Sequence, residues 1–206
     1  MKPIKILIPT LLLASALSSS AECCDTNAAL SCCAKPVTAD PVTDQSLYQI
    51  DSKWTIDTGK EIKLSNLKGR PQVIVMFFSS CQYACPVLVH DLTRIEAALT
   101  PELRERVGFT LVSFDTRRDT PEVLAKYRES HNLSPANWTL LHGESDDVLE
   151  LAALLGVKYK EDANGQFAHS NIITVLNSDG EVVHQLVGLG QDINETVREL
   201  EKMLVD

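Results

Sequence analysis

Cys81 and Cys85 stand four residues apart in the run Phe77-Phe78-Ser79-Ser80-Cys81-Gln82-Tyr83-Ala84-Cys85-Pro86, where a buried-looking apolar stretch gives way to a helical one. Two thiols at that spacing lie on one side of a helical turn, close enough to join as a disulfide or to grip one soft metal ion. Both reactions need the thiolate, and the partial positive charge of a helix N-terminus favours it, so the placement predicts lowered pKa values for the pair. A structural disulfide is the plainer use of two cysteines. Closing so short a loop, however, removes little entropy from the unfolded chain and would stabilise it little.

The elements that must position these thiols are legible on either side. Val73-Ile74-Val75-Met76-Phe77-Phe78 is β-rich and unbroken in its apolarity, as a strand covered on both faces is. Val87, Leu88, Leu92, Ile95 and Leu99 then recur at helical spacing, with Pro86 suited to a first turn. Upstream, Leu47-Tyr48-Gln49-Ile50 and Trp54-Thr55-Ile56 read as short strands, and Asp57-Thr58-Gly59-Lys60 as a turn into Glu61-Ile62-Lys63-Leu64. Downstream, residues 109–114 read as a second buried strand leading into Asp115-Thr116-Arg117-Arg118-Asp119-Thr120-Pro121-Glu122, where Thr120 is placed to cap a helix that runs to about His131. A short strand at 138–141 and a helix over 146–155, stopped by Gly156, follow. Residues 171–176 and 181–187 flank Asn177-Ser178-Asp179-Gly180 as a hairpin, and a helix over 193–204 ends the pattern. This order predicts an α/β, thioredoxin-like fold over residues 46–206, with an N-terminal β extension, an inserted strand-helix unit and a late β-hairpin.

The N-terminus points to export. Lys2 and Lys5 precede an apolar stretch, residues 6–17, that is interrupted by Pro9 and, at about 12 residues, falls short of the roughly 20 that span a bilayer. Ser19-Ser20-Ala21 supplies the small residues of a cleavage site, so residues 1–21 read as a signal peptide cut after Ala21. Glu22 stands where a lipoprotein signal needs a small residue before Cys23, which argues against a lipid anchor. The expected location is periplasmic or otherwise exported and soluble, the alternative being anchorage by an uncleaved N-terminal segment. Cleavage removes Lys2 and Lys5 and no acid, moving the formal charge from −9 to −11. Such a surface repels nucleic acid and suits cations or basic partners. Residues 22–45 form a tail without helical or strand period that carries Cys23, Cys24, Cys32 and Cys33. Four thiols within eleven residues could bind copper(I) or be oxidised across the two dipeptides, since adjacent cysteines rarely bond to each other.

The cysteine spacing separates this chain from its neighbours in fold. Thioredoxins keep two residues between their cysteines, and a peroxidatic cysteine is normally preceded at three residues by threonine, where this chain has Phe78. Three features together resemble the Sco/SenC family of exported copper proteins that help assemble cytochrome oxidase. They are Cys81-Gln82-Tyr83-Ala84-Cys85-Pro86, the segment from Asp115 to Pro121, and His169-Ser170 opening the late hairpin. The resemblance implies copper, as Cu(I) or Cu(II), held by Cys81, Cys85 and His169, and a partner that is a cytochrome oxidase copper-site subunit or another periplasmic copper or thiol protein. The donor chemistry agrees, since thiolates suit copper(I) and an imidazole extends the site to copper(II). Thr116, Ser79 and Ser80 depart from residues common in the family, and none is an implied ligand.

Two functions from different classes use these atoms. A metallochaperone would hold copper on Cys81, Cys85 and His169 and deliver it to an oxidase copper site, or reduce that site's cysteines. A thiol-disulfide oxidoreductase would use Cys81 and Cys85 as a redox pair and would have no evident need of His169. The surroundings of His169, Gly165-Gln166-Phe167-Ala168-His169-Ser170, read as a polar loop. His90 is expected on a solvated helix face, and His131, His142 and His184 are assigned no chemistry.

Overall fold

A computed structural model of the chain describes residues 43–205. In chain order it comprises β1 (Trp54–Ile56), β2 (Glu61–Ile62), β3 (Gln72–Phe77), α1 (Ala84–Ala98), α2 (Pro101–Arg104), β4 (Gly108–Ser113) and α3 (Pro121–Ser130). There follow β5 (Trp138–Gly143), α4 (Ser145–Leu154), β6 (Tyr159–Glu161), β7 (Phe167–His169), β8 (Ile172–Leu176), β9 (Val182–Val187) and α5 (Asn194–Val205). The expected signal peptide and nearly all of the expected tail, including its four cysteines, lie outside the described residues.

Seven strands form one sheet in the order β2-β1-β5-β4-β3-β8-β9. The three central strands, β5, β4 and β3, run parallel, and the rest pair antiparallel. Parallel neighbours need crossovers, which α1 and α2 provide between β3 and β4 and α3 between β4 and β5. Every residue of β3 and β4 is buried, as expected of strands covered on both faces. The hairpin β1–β2 extends the sheet beyond β5, and β8–β9 extends it beyond β3, giving the thioredoxin-like arrangement with the expected N-terminal extension and late hairpin. In the late hairpin Gly180 takes φ +87° and its amide donates to the Asn177 carbonyl, closing the turn that the sequence marks.

One helix face carries the site. Cys85, Leu88, Leu92 and Ile95 recur three and four residues apart along α1 and are 0–1% exposed. Burying each leucine or isoleucine contributes on the order of 1.5–3 kcal/mol, enough to fix the rotation of α1 about its axis. That rotation turns Cys85 inward with the stripe and leaves Cys81, which precedes the helix, at its mouth.

Two expected elements differ. Leu47-Tyr48-Gln49 is a 3-10 turn, not a strand: Ser46 Oγ accepts from the Tyr48 amide at 3.1 Å, and both Leu47 and Tyr48 point into the core, which alternating strand faces would not allow. The β2 strand stops at Ile62 because Leu64–Leu67 turns into another 3-10 segment, in which Asn66 Oδ1 accepts from the Lys63 amide at 2.8 Å. A third difference concerns the site itself. Residues 165–170, read as a polar loop, contain β7, which pairs with β6 in a separate two-stranded antiparallel ribbon, with Tyr159 opposite His169.

Candidate metal centre

β3 ends at Phe77, and the next residues cross the top of the sheet before α1 begins. Tyr83, at the N-cap position of α1, offers no side-chain cap. Cys81 takes that role, because its Sγ accepts the Cys85 amide at 3.3 Å. Burial alone pushes the Cys81 thiol up, but hydrogen bonds from the Cys85, Tyr83 and Ala84 backbone and from the Cys85 side chain outweigh it and hold the thiol below its ordinary value.

Cys85 behaves in the opposite way, against the expectation that the helix N-terminus lowers both thiols. Burial pushes it well up; a hydrogen bond from the Phe78 backbone opposes the rise, while the Cys81 sulfur and the Asp119 carboxylate add to it. Desolvation wins because Cys85 sits in the apolar stripe of α1, 1% exposed. Cys81 is half-buried, and both residues are free thiols.

The ribbon brings the third donor. In β7, Phe167 and His169 turn toward the core while Ala168 faces out. His169 Nδ1 lies 3.0 Å from the Ser170 carbonyl. A carbonyl only accepts, so Nδ1 carries the proton and Nε2 keeps its lone pair. That Nε2 lies 3.6 Å from Cys85 Sγ, and the three donor atoms Cys81 Sγ, Cys85 Sγ and His169 Nε2 all fall within 4.8 Å of one another. Phe114 packs against the imidazole with centroids 5.2 Å apart, and Phe78 meets it edge-on at 6.1 Å. The donor set fits a soft metal ion: two sulfurs, one imidazole nitrogen with its tautomer fixed by a second hydrogen bond, and an apolar wall.

The structure thus brings together the three residues expected to act. The other histidines stay apart: His90 is exposed on α1, His131 stacks on Tyr127 at 3.9 Å, His142 bonds the Asp119 carbonyl at 3.0 Å, and His184 bonds Thr196 at 3.0 Å. Beneath the thiols is a group that motif reading did not place there. Asp119, 0% exposed, accepts from the Ser79 amide at 2.8 Å and from the Ser79 and Ser113 hydroxyls. It therefore anchors the loop that carries Cys81. Its motif looked like a strand end and a helix cap; Thr120 does occupy the N-cap position of α3, yet its hydroxyl bonds Glu122 and not the backbone.

Residues 38–205 match the SCO1/SenC family over most of the chain. The chain belongs to that family. The SCO1 protein homolog of Bacillus subtilis (strain 168) is 28% identical over 136 residues, which cover 64% of this chain and 69% of the relative. Yeast Sco1 with copper bound superposes with a TM-score of 0.64 at 22% identity, covering 75% of this chain and 87% of that one. BsSco, a member of the Sco family of cytochrome c oxidase assembly proteins in which a disulfide switch is identified, superposes with a TM-score of 0.65 at 22% identity, over 74% of this chain and 91% of that one. At these identities the two structures speak for the shared fold. Among the described residues, no helix is long and apolar enough to cross a membrane.

Proposed function

We propose that this SCO1/SenC protein is exported, takes copper as cargo on Cys81, Cys85 and His169, and delivers it to, or reduces the cysteines of, the copper site of a respiratory cytochrome oxidase. The observation that carries the reading is the convergence of two sulfurs and one free imidazole nitrogen within 4.8 Å. Thiolates hold copper(I), and the imidazole allows copper(II) as well. Three protein donors leave room for a partner's ligand to enter before the chain's own let go, which a carrier needs. Copper in yeast Sco1 and the assembly role of BsSco support the same assignment.

The test is a copper titration of the reduced chain with Cys23, Cys24, Cys32 and Cys33 replaced by serine. One copper per chain is expected, Cys81→Ser or Cys85→Ser should each abolish tight binding, and His169→Ala should weaken it while leaving the thiols able to form a disulfide. Unchanged stoichiometry and affinity in either cysteine variant would sink the copper reading.

The unequal thiols favour a second reading. The Cys81 thiolate, half-buried and lowered in pKa, attacks one sulfur of a partner disulfide to give a mixed disulfide and a partner thiolate, which takes up a proton. Cys85, losing its proton, then attacks the Cys81 sulfur; the Cys81–Cys85 disulfide forms and the partner leaves as a dithiol. The partner gains two electrons and the chain loses two, so an exported thiol reductant must reset it. Because both readings consume the same two thiolates, one molecule performs one at a time. If His169→Ala slows exchange with a disulfide substrate as much as it weakens copper, the oxidoreductase reading gains.

A further inference from the structure

Two separate carriers must meet at the site, and the seven residues between β4 and α3 touch both. Asp119 holds the cysteine loop through Ser79, as described above. Arg118 reaches the other way. Its Nε donates to Asp115, whose carboxylate also accepts the Arg118 amide at 3.2 Å, and Asp115 is 1% exposed, so the root of this contact is fixed in the core. Its Nη2 donates to the Gly165 carbonyl in the turn joining β6 to β7, and its guanidinium lies over the Phe167 ring at 5.6 Å. Arg117 pairs with Glu161 on β6.

The ribbon needs such a hold. Its strands pair with each other and not with the seven-stranded sheet. Against the body of the domain it packs by rings, Phe167 on Phe78 and Phe114 at 5.2 and 5.0 Å, and Tyr159 on Phe114 at 5.0 Å. Ring packing buries area but tolerates sliding, whereas a planar guanidinium joined to a buried carboxylate on one side and a backbone carbonyl on the other fixes position along the ribbon. The approach is close: Gly165 has φ +74°, and a Cβ there would lie 2.8 Å from Arg118 Nη1, so the guanidinium would have to shift to admit one.

We propose that Arg118, rooted on Asp115, is a positioning residue for His169: it holds the turn of the β6–β7 ribbon so that Nε2 stays within reach of the two thiols. The proposal rests on the copper reading above for its consequence, not for its geometry. The Arg118 side chain is 40% exposed, and Asp115 keeps the residue 118 backbone amide as a donor when the guanidinium is removed, so the contact that is lost outright is the one to the ribbon.

The experiment uses the full chain with the four N-terminal cysteines as serine, carrying Arg118→Ala or, from the opposite side of the contact, Gly165→Ala. In the reduced, metal-free protein, amide hydrogen exchange over residues 159–169 should speed up in both variants while α1 keeps its protection. Copper(I) dissociation constants, from competition with a chromophoric chelator, should rise by about ten-fold or more, the usual effect of losing a group that orients a ligand. Adding Arg118→Ala to His169→Ala should cost no further affinity. Wild-type exchange in the ribbon overturns the proposal, as does a loss of affinity equally large when His169 is already gone. If His169→Ala leaves copper binding unchanged, His169 drops out of the copper reading as a ligand, and ribbon exchange still decides the role of Arg118.

Discussion

Cys81 and Cys85 are one residue type in two environments, and their chemistry divides accordingly. The thiolate of Cys81 caps α1, so its pKa lies below the ordinary thiol value and its reactive fraction at neutral pH exceeds that of a free cysteine. Cys85 is buried with Leu88 and Leu92, its pKa is raised, and it stays protonated through the neutral range. Alkylation of the reduced protein with iodoacetamide, followed by peptide mass spectrometry, should therefore modify Cys81 well before Cys85. The Cys81 rate should level off at a lower pH than a model thiol's, because its thiolate is complete earlier on the pH scale. Equal rates for the two cysteines would contradict this division. The spacing Cys-x-x-x-Cys announces such a pair, but a helix-terminus argument assigns both thiols the same sign. What it omits is desolvation, though the clue stood in the sequence: Cys85 falls on the apolar stripe of its helix and Cys81 does not. His169 was legible only by family resemblance. Nothing in Gly165-Gln166-Phe167-Ala168-His169 marks a ligand, because even Cys85, the nearer of its partners in sequence, is 84 residues away.

Long elements with a strong period were readable and short ones were not. Six unbroken buried residues in β3 and a buried stripe along the fifteen residues of α1 leave little choice of structure, whereas β6 and β7 have three residues each and gain their stability from pairing with each other and from the rings beneath them. The connection from β4 to α3 is the clearest case of a local signal with a distant purpose. Asp119 stands beside Thr120, the expected helix cap, yet its carboxylate serves the loop 40 residues upstream. Hydrogen bonds to a charged acceptor contribute about 1.5–3 kcal/mol each, and removing the carboxylate strands buried donors on Ser79 and Ser113. Asp119→Ala should thus lower unfolding free energy by more than about 2 kcal/mol in urea denaturation and should raise hydrogen exchange at Ser79–Cys81. A variant as stable as the parent, with the loop still protected, would show that Ser79 is held by something else.

Across the whole molecule, the fold builds one three-donor centre from residues 43–205, and the sequence holds four more thiols ahead of it, at Cys23, Cys24, Cys32 and Cys33. The two sets differ in what precedes binding. The main site is preformed, so copper meets donors already within 4.8 Å of one another. For the N-terminal thiols, each residue that has to be fixed around an ion costs roughly 1–2 kcal/mol, which would offset part of the strength of four soft ligands. If those thiols serve copper, fully reduced chain should bind more than one copper(I), and replacing the four by serine should return it to one, with the second equivalent weaker than the first. If they are instead cross-paired, protein isolated without reductant should show at most two free thiols, both at Cys81 and Cys85. Copper content measured under strict reduction, with and without the four substitutions, separates these outcomes: equal stoichiometry in the two proteins confines copper to the preformed centre, and a difference adds a second site at the N-terminal thiols.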